Sequence, residues 1–162
     1  ANFDKLFLKM RGRFGADSVA MKETLRYVFN KRTKKQTTII GFISDQAPKW
    51  ESIHHWIGFL HHYTPVFTGA EQIGKKVGAA YFYAHMKRVK RGYYTCCITP
   101  MRQTEDIEEQ QDSPYPVTDL YFQMLEKTIE NHPSLWLWTH NRWKRTYEEY
   151  AERMKSVAQH KS

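Results

Sequence analysis

Hydrophobic residues recur at helical spacing in four parts of the chain. The clearest pattern covers 117–129, where apolar side chains follow the i, i+3, i+4 positions of one helix face and Pro133 lies just beyond the end. Weaker patterns of the same kind cover 3–14, 20–31 and 147–157. The sequence therefore predicts two helices near its start and two in its last third.

The segment 37–43 has a different pattern, apolar and β-branched without polar alternation. Such a run is typical of a strand that is covered on both faces, as in a parallel sheet. A short helix at 69–77 and a further strand at 78–86 are predicted after it. The succession of strand, helix and strand predicts an α/β layer.

A hairpin is predicted in the middle of the chain. The strand at 78–86 is followed by a second β-rich run at 93–98, and the segment 87–92 between them reads Lys-Arg-Val-Lys-Arg-Gly. This segment is short enough to form the turn of a hairpin. The chain is therefore expected to present a basic finger.

Composition narrows the class of protein but does not choose its partner. The length predicts a single domain over 1–162, and the 41% hydrophobic content argues against disorder. No apolar run approaches the roughly 20 residues that a membrane-spanning helix needs. The acidic segment 104–112 is expected to be a mobile loop. A formal charge of +8 indicates an anionic partner, which leaves nucleic acid, an acidic carrier protein, a phosphorylated lipid and a membrane surface open.

Three sequence patterns have a possible chemical role, but each lacks a spacing, a geometry or a residue that the role requires. The four histidines between 54 and 62 are not spaced to chelate one ion in either a strand or a helix, so no metal site is predicted. The adjacent Cys96 and Cys97 would form a strained disulfide, which indicates a reducing compartment without a redox role. The segment 69–76 nearly matches a phosphate-binding P-loop, but its last position is a lysine where magnesium needs a hydroxyl. Nucleotide hydrolysis is therefore disfavoured, while the helix start at Gly69 remains open as an anion site or a close-packing site.

The segment 134–145 combines three tryptophans with a His, an Asn and three cations. A buried segment does not normally carry three cations in one turn, and a solvated segment does not normally carry three indoles. The mixture predicts an anchor that is half core and half anionic contact. Stacking on single-stranded RNA and packing of a C-terminal element on the sheet are both open interpretations.

Taken in order, several segments together resemble the lipid A biosynthesis acyltransferases, the bacterial lauroyl and myristoyl transferases within the lysophospholipid acyltransferase-like superfamily. Their order and spacing cover nearly the whole chain. The segments are 10–15, 42–46, 65–69 running into 78–80, and 133–144.

The resemblance implies part of a glycerolipid-acyltransferase-like α/β fold, with a mostly parallel sheet flanked by helices and followed by C-terminal helices. It also implies an enzyme without a cofactor. Such an enzyme moves a fatty acyl chain from an acyl thioester, on acyl carrier protein or coenzyme A, to a hydroxyl of a lipid A precursor. It works at the cytoplasmic face of the bacterial inner membrane, so a membrane surface is an implied partner and nucleic acid is not.

The family's catalytic signature is a His with an acidic residue five positions later, and it lies upstream of every matching segment. No His of this chain has an acidic residue at that spacing. The first residues also lack an initiator Met and a signal-peptide pattern. We therefore expect the C-terminal portion of a longer acyltransferase, soluble as a fragment and inactive by itself.

The same resemblance assigns roles to residues of the matching segments. Arg11 is the first candidate for stabilising the oxyanion of the thioester carbonyl, and Arg13 is the second. Asp45 follows the predicted strand at 37–43, at the edge where open α/β sheets bind ligands, and is expected to orient the donor or the substrate. The expected substrate-binding residues are Arg13, Gln46, Gly69, Arg88, Arg142 and Lys144.

Two alternatives remain open from the residues alone. For the exposed cations, a solvated surface without a ligand is the favoured interpretation. For the whole chain, a basic nucleic-acid-binding module is the main alternative, since basic runs are interleaved with Tyr and Trp. A divergent family member that acts on another lipid, such as an aminolipid, is a third.

Overall fold

The computed structural model describes residues 2–101 and 112–159, which form two compact units, Ala1–Ile40 and Gly41–Ser162. The acidic segment predicted as a mobile loop at 104–112 lies outside the described residues, apart from Asp112. None of the helices in the described ranges has both the length and the apolar character needed to span a bilayer.

The first unit contains two helices, as the sequence predicts. Helix α1 (Asn2–Arg11) continues into one turn of 3₁₀ helix at Gly12–Phe14. It ends at Gly15, whose φ of 82° is a left-handed conformation that glycine adopts without strain. Helix α2 (Thr24–Thr33) follows another 3₁₀ turn at Met21–Glu23.

The second unit begins with a hairpin that the sequence pattern does not reveal. Strand β1 (His55–Phe59) pairs antiparallel with β2 (His62–Val66) through a two-residue turn. Both turn residues, Leu60 and His61, have positive φ, which is the geometry of a type I′ turn. The backbone N–H of Leu60 donates to Glu126 Oε1 at 2.6 Å, so a helix further along the chain holds the turn in place.

The second hairpin confirms the strands predicted in the middle of the chain but not their turn. Strand β3 (Phe82–Lys90) pairs antiparallel with β4 (Tyr93–Pro100). The turn is only Arg91-Gly92, and a bulge lies between Arg88 and Lys90. The prediction of a turn over 87–92 is therefore wrong, because most of its basic residues lie on the strand itself.

The prediction of a mostly parallel sheet is also wrong. The described residues form two separate two-stranded sheets, and both are antiparallel because tight turns join their strands. The segment 37–43 is irregular, and Ile39 within it is 98% exposed. An apolar, β-branched run forms a strand only when a neighbour satisfies its backbone groups, and no described strand lies beside this one.

Three helices complete the part of the second unit that the structure describes, and all three are predicted by the sequence. They are α3 (Gly69–Val77), α4 (Pro116–Asn131) and α5 (Tyr147–Gln159). Strand, helix and strand do occur in the order β2, α3, β3, but β2 and β3 belong to different sheets. Helix α3 therefore does not connect two parallel strands of one sheet, contrary to the prediction from the sequence.

The core of the second unit lies between the first hairpin and α4. Phe59 and Val66 of the hairpin pack with Phe122 and Ile129 of the helix, and all four are buried. The rings of Phe59 and Phe122 meet edge to face, with centroids 5.2 Å apart. The packing of Val66 with the two helix residues places the carboxyl end of β2 beside α4, where the candidate site is found.

Candidate functional site

The tryptophan-rich segment is fixed to the first hairpin by two of its three indoles. Trp143 donates from Nε1 to Thr64 Oγ1 at 2.9 Å, and the ring of Trp136 lies 5.9 Å from that of Phe59. Trp138 is exposed, and its Nε1 donates to the carbonyl of Pro133 at 2.8 Å. The predicted packing role is therefore confirmed for Trp136 and Trp143 but not for Trp138.

Between these indoles, Arg142 turns inward and is completely buried. Its Nη2 donates to the backbone carbonyl of Pro65 on β2 at 2.8 Å. Its guanidinium carbon lies 5.9 Å from the centroid of the Phe122 ring. The other two nitrogens, Nε and Nη1, are buried and meet no hydrogen-bond acceptor among the described residues. A buried cation with free donors is costly to fold, and such groups are common at functional sites.

The charge of Asp45 acts on this buried guanidinium. Burial lowers the pKa of Arg142 to about 10, while the Asp45 carboxylate and the Tyr121 hydroxyl raise it. Gln46 donates from Nε2 to Asp45 Oδ2 at 3.1 Å. The structure therefore brings together Asp45, Gln46 and Arg142, which come from two different sequence segments.

Tyr121 on α4 is the fourth member of this group. Burial raises the pKa of its hydroxyl well above the ordinary value, and the negative charge of Asp45 raises it further. Arg142 acts in the opposite direction, with a smaller effect. The phenol therefore stays protonated at neutral pH and remains a hydrogen-bond donor. We refer to Asp45, Gln46, Tyr121 and Arg142 as the Asp45 cluster.

Strand β3 supports the cluster through Tyr83. The Tyr83 ring lies 5.8 Å from the Tyr121 ring, and its hydroxyl donates to Thr128 Oγ1 at 2.9 Å. Thr128 in turn donates to the carbonyl of Met124 one helical turn earlier. Burial raises the pKa of Tyr83 as well. The position of Tyr121 is thus set by both α4 and β3.

The remaining predicted site residues lie outside this cluster. Gly69 is the exposed first residue of α3, Arg88 is exposed on β3, and Lys144 is exposed two residues after Arg142. Arg11 and Arg13 belong to the first unit, where Arg11 ends α1 and Arg13 lies over the Phe14 ring at 5.6 Å. Their roles in substrate binding or oxyanion stabilisation stay predictions.

The segment that resembles a P-loop has a packing explanation. Glu71 is buried, and its Oε2 accepts bonds from the backbone N–H and the hydroxyl of Thr118, at 2.8 and 2.7 Å. A Cβ on Gly74 would lie 2.1 Å from the Tyr81 hydroxyl, so a larger residue would require the Tyr81 ring to move. At Gly69, in contrast, a Cβ would meet no described atom within 4 Å. Close packing therefore explains Gly74 and not Gly69.

A histidine and a carboxylate do pair in the fold, although not at the family's sequence spacing. His55 Nε2 lies 2.7 Å from Asp119 Oδ1, and the two residues are 64 positions apart. Both side chains are mostly buried. The described residues contain no group of three or more His, Cys, Asp and Glu that could hold a metal ion.

Sequence reasoning missed Tyr121, Asp119 and the Pro65 carbonyl. Tyr121 belongs to the apolar face of α4, so its periodicity indicates a core residue. Its hydroxyl is the signal that could have singled it out, because a phenol on a buried face usually needs a polar partner. The carbonyl of Pro65 leaves no trace in the sequence.

A family model described as bacterial lipid A biosynthesis acyltransferase matches residues 1–145, which include every member of the Asp45 cluster. Comparison with the curated proteins finds no match.

Proposed function

This chain belongs to the bacterial lipid A biosynthesis acyltransferases, and on that premise we propose that it is the C-terminal portion of an enzyme that acylates a lipid A precursor. The donor is a fatty acyl thioester of acyl carrier protein. The acceptor is a hydroxyl of the precursor. The reaction takes place at the cytoplasmic face of the inner membrane.

The convergence of Asp45 and Arg142 is the observation that supports this function best. A buried arginine with two unused donor nitrogens destabilises a fold, so the presence of Arg142 at this position is explained by a functional role and not by stability. Asp45 lies close enough for its charge to act on this guanidinium, so Arg142 is placed to orient the Asp45 carboxylate, which in turn can orient a hydroxyl or the donor. In this role Arg142 is a positioning residue, which acts through Asp45.

The reaction itself needs a base that this chain does not supply at the family's spacing. The acceptor oxygen forms an ester bond with the thioester carbonyl carbon, and the carbon–sulfur bond breaks. A neutral His takes the hydroxyl proton and passes it to the departing thiolate. None of the eight histidines in the sequence is followed by Asp or Glu five positions later. We therefore expect this chain alone to be inactive.

A transfer assay tests the proposal. The purified chain and the intact enzyme are each incubated with an acyl-carrier-protein thioester and a lipid A precursor, and the precursor's mass is measured. The intact enzyme should add one acyl chain, and the chain alone should add none. Transfer by the chain alone would overturn the expected inactivity. In that event, loss of transfer in a His55→Gln variant would identify the His55–Asp119 pair as the base.

The intact enzyme also tests the proposed acceptor. Turnover of a glycerol-based lysophospholipid in preference to the lipid A precursor would contradict this choice of substrate. Transfer from acyl-coenzyme A at a higher kcat/KM than from acyl carrier protein would contradict the proposed donor.

A further inference from the structure

We propose that the second hairpin is an interfacial anchor that binds the surface of an anionic membrane. The inference rests on the proposed function in one respect, namely that the acceptor is a lipid. The evidence for it comes from the two faces and the tip of the hairpin formed by β3 and β4, and the inward face contacts the Asp45 cluster through Tyr83.

One face of this hairpin packs against the protein. Tyr83 is buried on that face, where its ring contacts Tyr121. His85 and its cross-strand partner Cys97 are half-buried on the same face. Among the described residues, this face is the one through which the hairpin packs on the rest of the second unit. The opposite face is directed away from α4.

The other face is apolar and exposed. Side chains alternate between the faces of a strand, and residues directly opposite each other share a face. Ala84 pairs with Ile98 and Met86 pairs with Cys96, so all four lie together on the outward side. The large apolar members of this face are 47% to 65% exposed; they are Phe82, Met86, Tyr94 and Ile98. An exposed apolar patch of this kind marks an interaction surface.

The tip of the hairpin is cationic and aromatic. Arg88, Lys90 and Arg91 are all exposed there, and Lys90 Nζ lies 4.3 Å from the centroid of the Tyr93 ring. The bulge leaves Val89 67% exposed beside them. Arg and Lys with Tyr at the edge of an apolar surface are the combination that membrane interfaces select.

Charge complementarity favours an anionic lipid surface as the occupant. The sequence has no Asp or Glu between Gln72 and Gln103, so no carboxylate of that stretch would oppose phosphate headgroups. Basic side chains near an anionic membrane contribute about 1 kcal/mol each, and apolar side chains beside them add binding by burial. A protein partner of the same shape would need acidic groups around an apolar centre, and a second copy of this basic hairpin would be repelled.

The test measures cosedimentation of the purified chain with phosphatidylcholine vesicles, with and without phosphatidylglycerol. Binding should require phosphatidylglycerol and decrease with salt. Replacing Arg88, Lys90 and Arg91 with Gln should weaken binding at least about tenfold. A control that removes the same charge from exposed sites elsewhere, at Lys76, Lys127 and Lys155, should weaken it less than about threefold.

A second variant tests whether the apolar face of the hairpin contributes to binding. Replacing Met86 and Ile98 with Ser should also weaken binding several-fold, while thermal unfolding shows that the variant still folds. Equal losses in the hairpin and control triple variants would overturn the inference, because they would indicate general charge attraction. Absence of binding to phosphatidylglycerol vesicles would overturn it as well.

Two other outcomes would replace the membrane with a different partner. Tighter binding of single-stranded RNA than of vesicles, lost in the hairpin triple variant, would assign the surface to nucleic acid. Dimers that dissociate when Met86 and Ile98 are replaced, without vesicle binding, would assign it to a second copy. Each result leaves the proposed function open, because acyl transfer by the intact enzyme can be measured with a detergent-dispersed acceptor.

Discussion

The carboxylate of Asp45 acts on the buried guanidinium of Arg142. Burial lowers the pKa of Arg142 to about 10, and the negative charge of Asp45 acts in the opposite direction by raising it. Asp45 follows the apolar segment 37–43, and Arg142 lies within the tryptophan-rich segment. Two of the segments that together resemble the family therefore contribute to one site. The pair gives a physical reason why both segments occur in one protein.

Arg142→Met should change the free energy of unfolding by no more than about 1 kcal/mol. The variant loses the hydrogen bond to the Pro65 carbonyl, but it also removes a buried charge with two free donors. The cost of that charge applies at every pH below about 10, where the folded protein keeps the guanidinium protonated. Urea unfolding measures the change. A loss above about 3 kcal/mol would show that Arg142 is mainly a structural residue.

Tyr121→Phe should reduce the loss of stability at high pH. The unfolded chain's tyrosines titrate near pH 10, whereas Tyr121 in the folded protein titrates at a higher pH. The stability that this shift contributes is complete below about pH 10 and is lost as the pH rises above it. Melting temperatures followed from about pH 8 to about pH 11 should fall less steeply in the variant. Tyr94→Phe, at an exposed position, is the control and should keep the wild-type slope.

Glu71→Gln should destabilise the second unit by about 1–3 kcal/mol. The buried carboxylate accepts two bonds from Thr118 at the start of α4, and an amide replaces these charge-assisted bonds with weaker ones. Thr118→Ser keeps both donors and should cost much less. Denaturant titration of the two variants gives the comparison, and equal stability of Glu71→Gln and wild type would show that this buried contact is not formed in solution.

Asp119→Asn should lower the free energy of unfolding by about 1 kcal/mol in the wild-type protein, and by less when His55 is already replaced by Gln. The bond between the two side chains at 2.7 Å is the reason, and the negative charge also lies in the first turn of α4, where the helix dipole favours it. A double-mutant cycle by thermal unfolding measures the coupling. Additive effects of the two replacements would mean that the contact contributes nothing.

The helices were largely predictable from the sequence because their periodicity is strong and local. The face of 117–129 needs no knowledge of its partners, and α4 (Pro116–Asn131) follows that pattern closely. The strands of the second hairpin were predictable for a similar reason, since the two β-rich runs at 78–86 and 93–98 lie close together in the sequence, but the turn at Arg91-Gly92 was not predicted.

The predictions that were wrong or missing concern features that depend on contacts between residues far apart in the sequence. The first hairpin turns at Leu60-His61, which lacks the Asn-Gly or Asp-Gly signal of a type I′ turn. The backbone N–H of Leu60 donates instead to Glu126, a residue far along the sequence. The run at 37–43 has the composition of a buried strand, but composition does not specify a pairing partner. At the site, Asp45 and Arg142 were predicted as separate residues, and only the fold shows that they act on one another.

The rate of acyl transfer by the intact enzyme tests the central claim most directly, measured for wild type, Asp45→Asn, Arg142→Met and the double variant. If Arg142 acts through Asp45, each single replacement should lower kcat at least about tenfold, and the double variant should be no slower than the slower single one. Losses that multiply in the double variant, or wild-type kcat in Arg142→Met, would contradict the account.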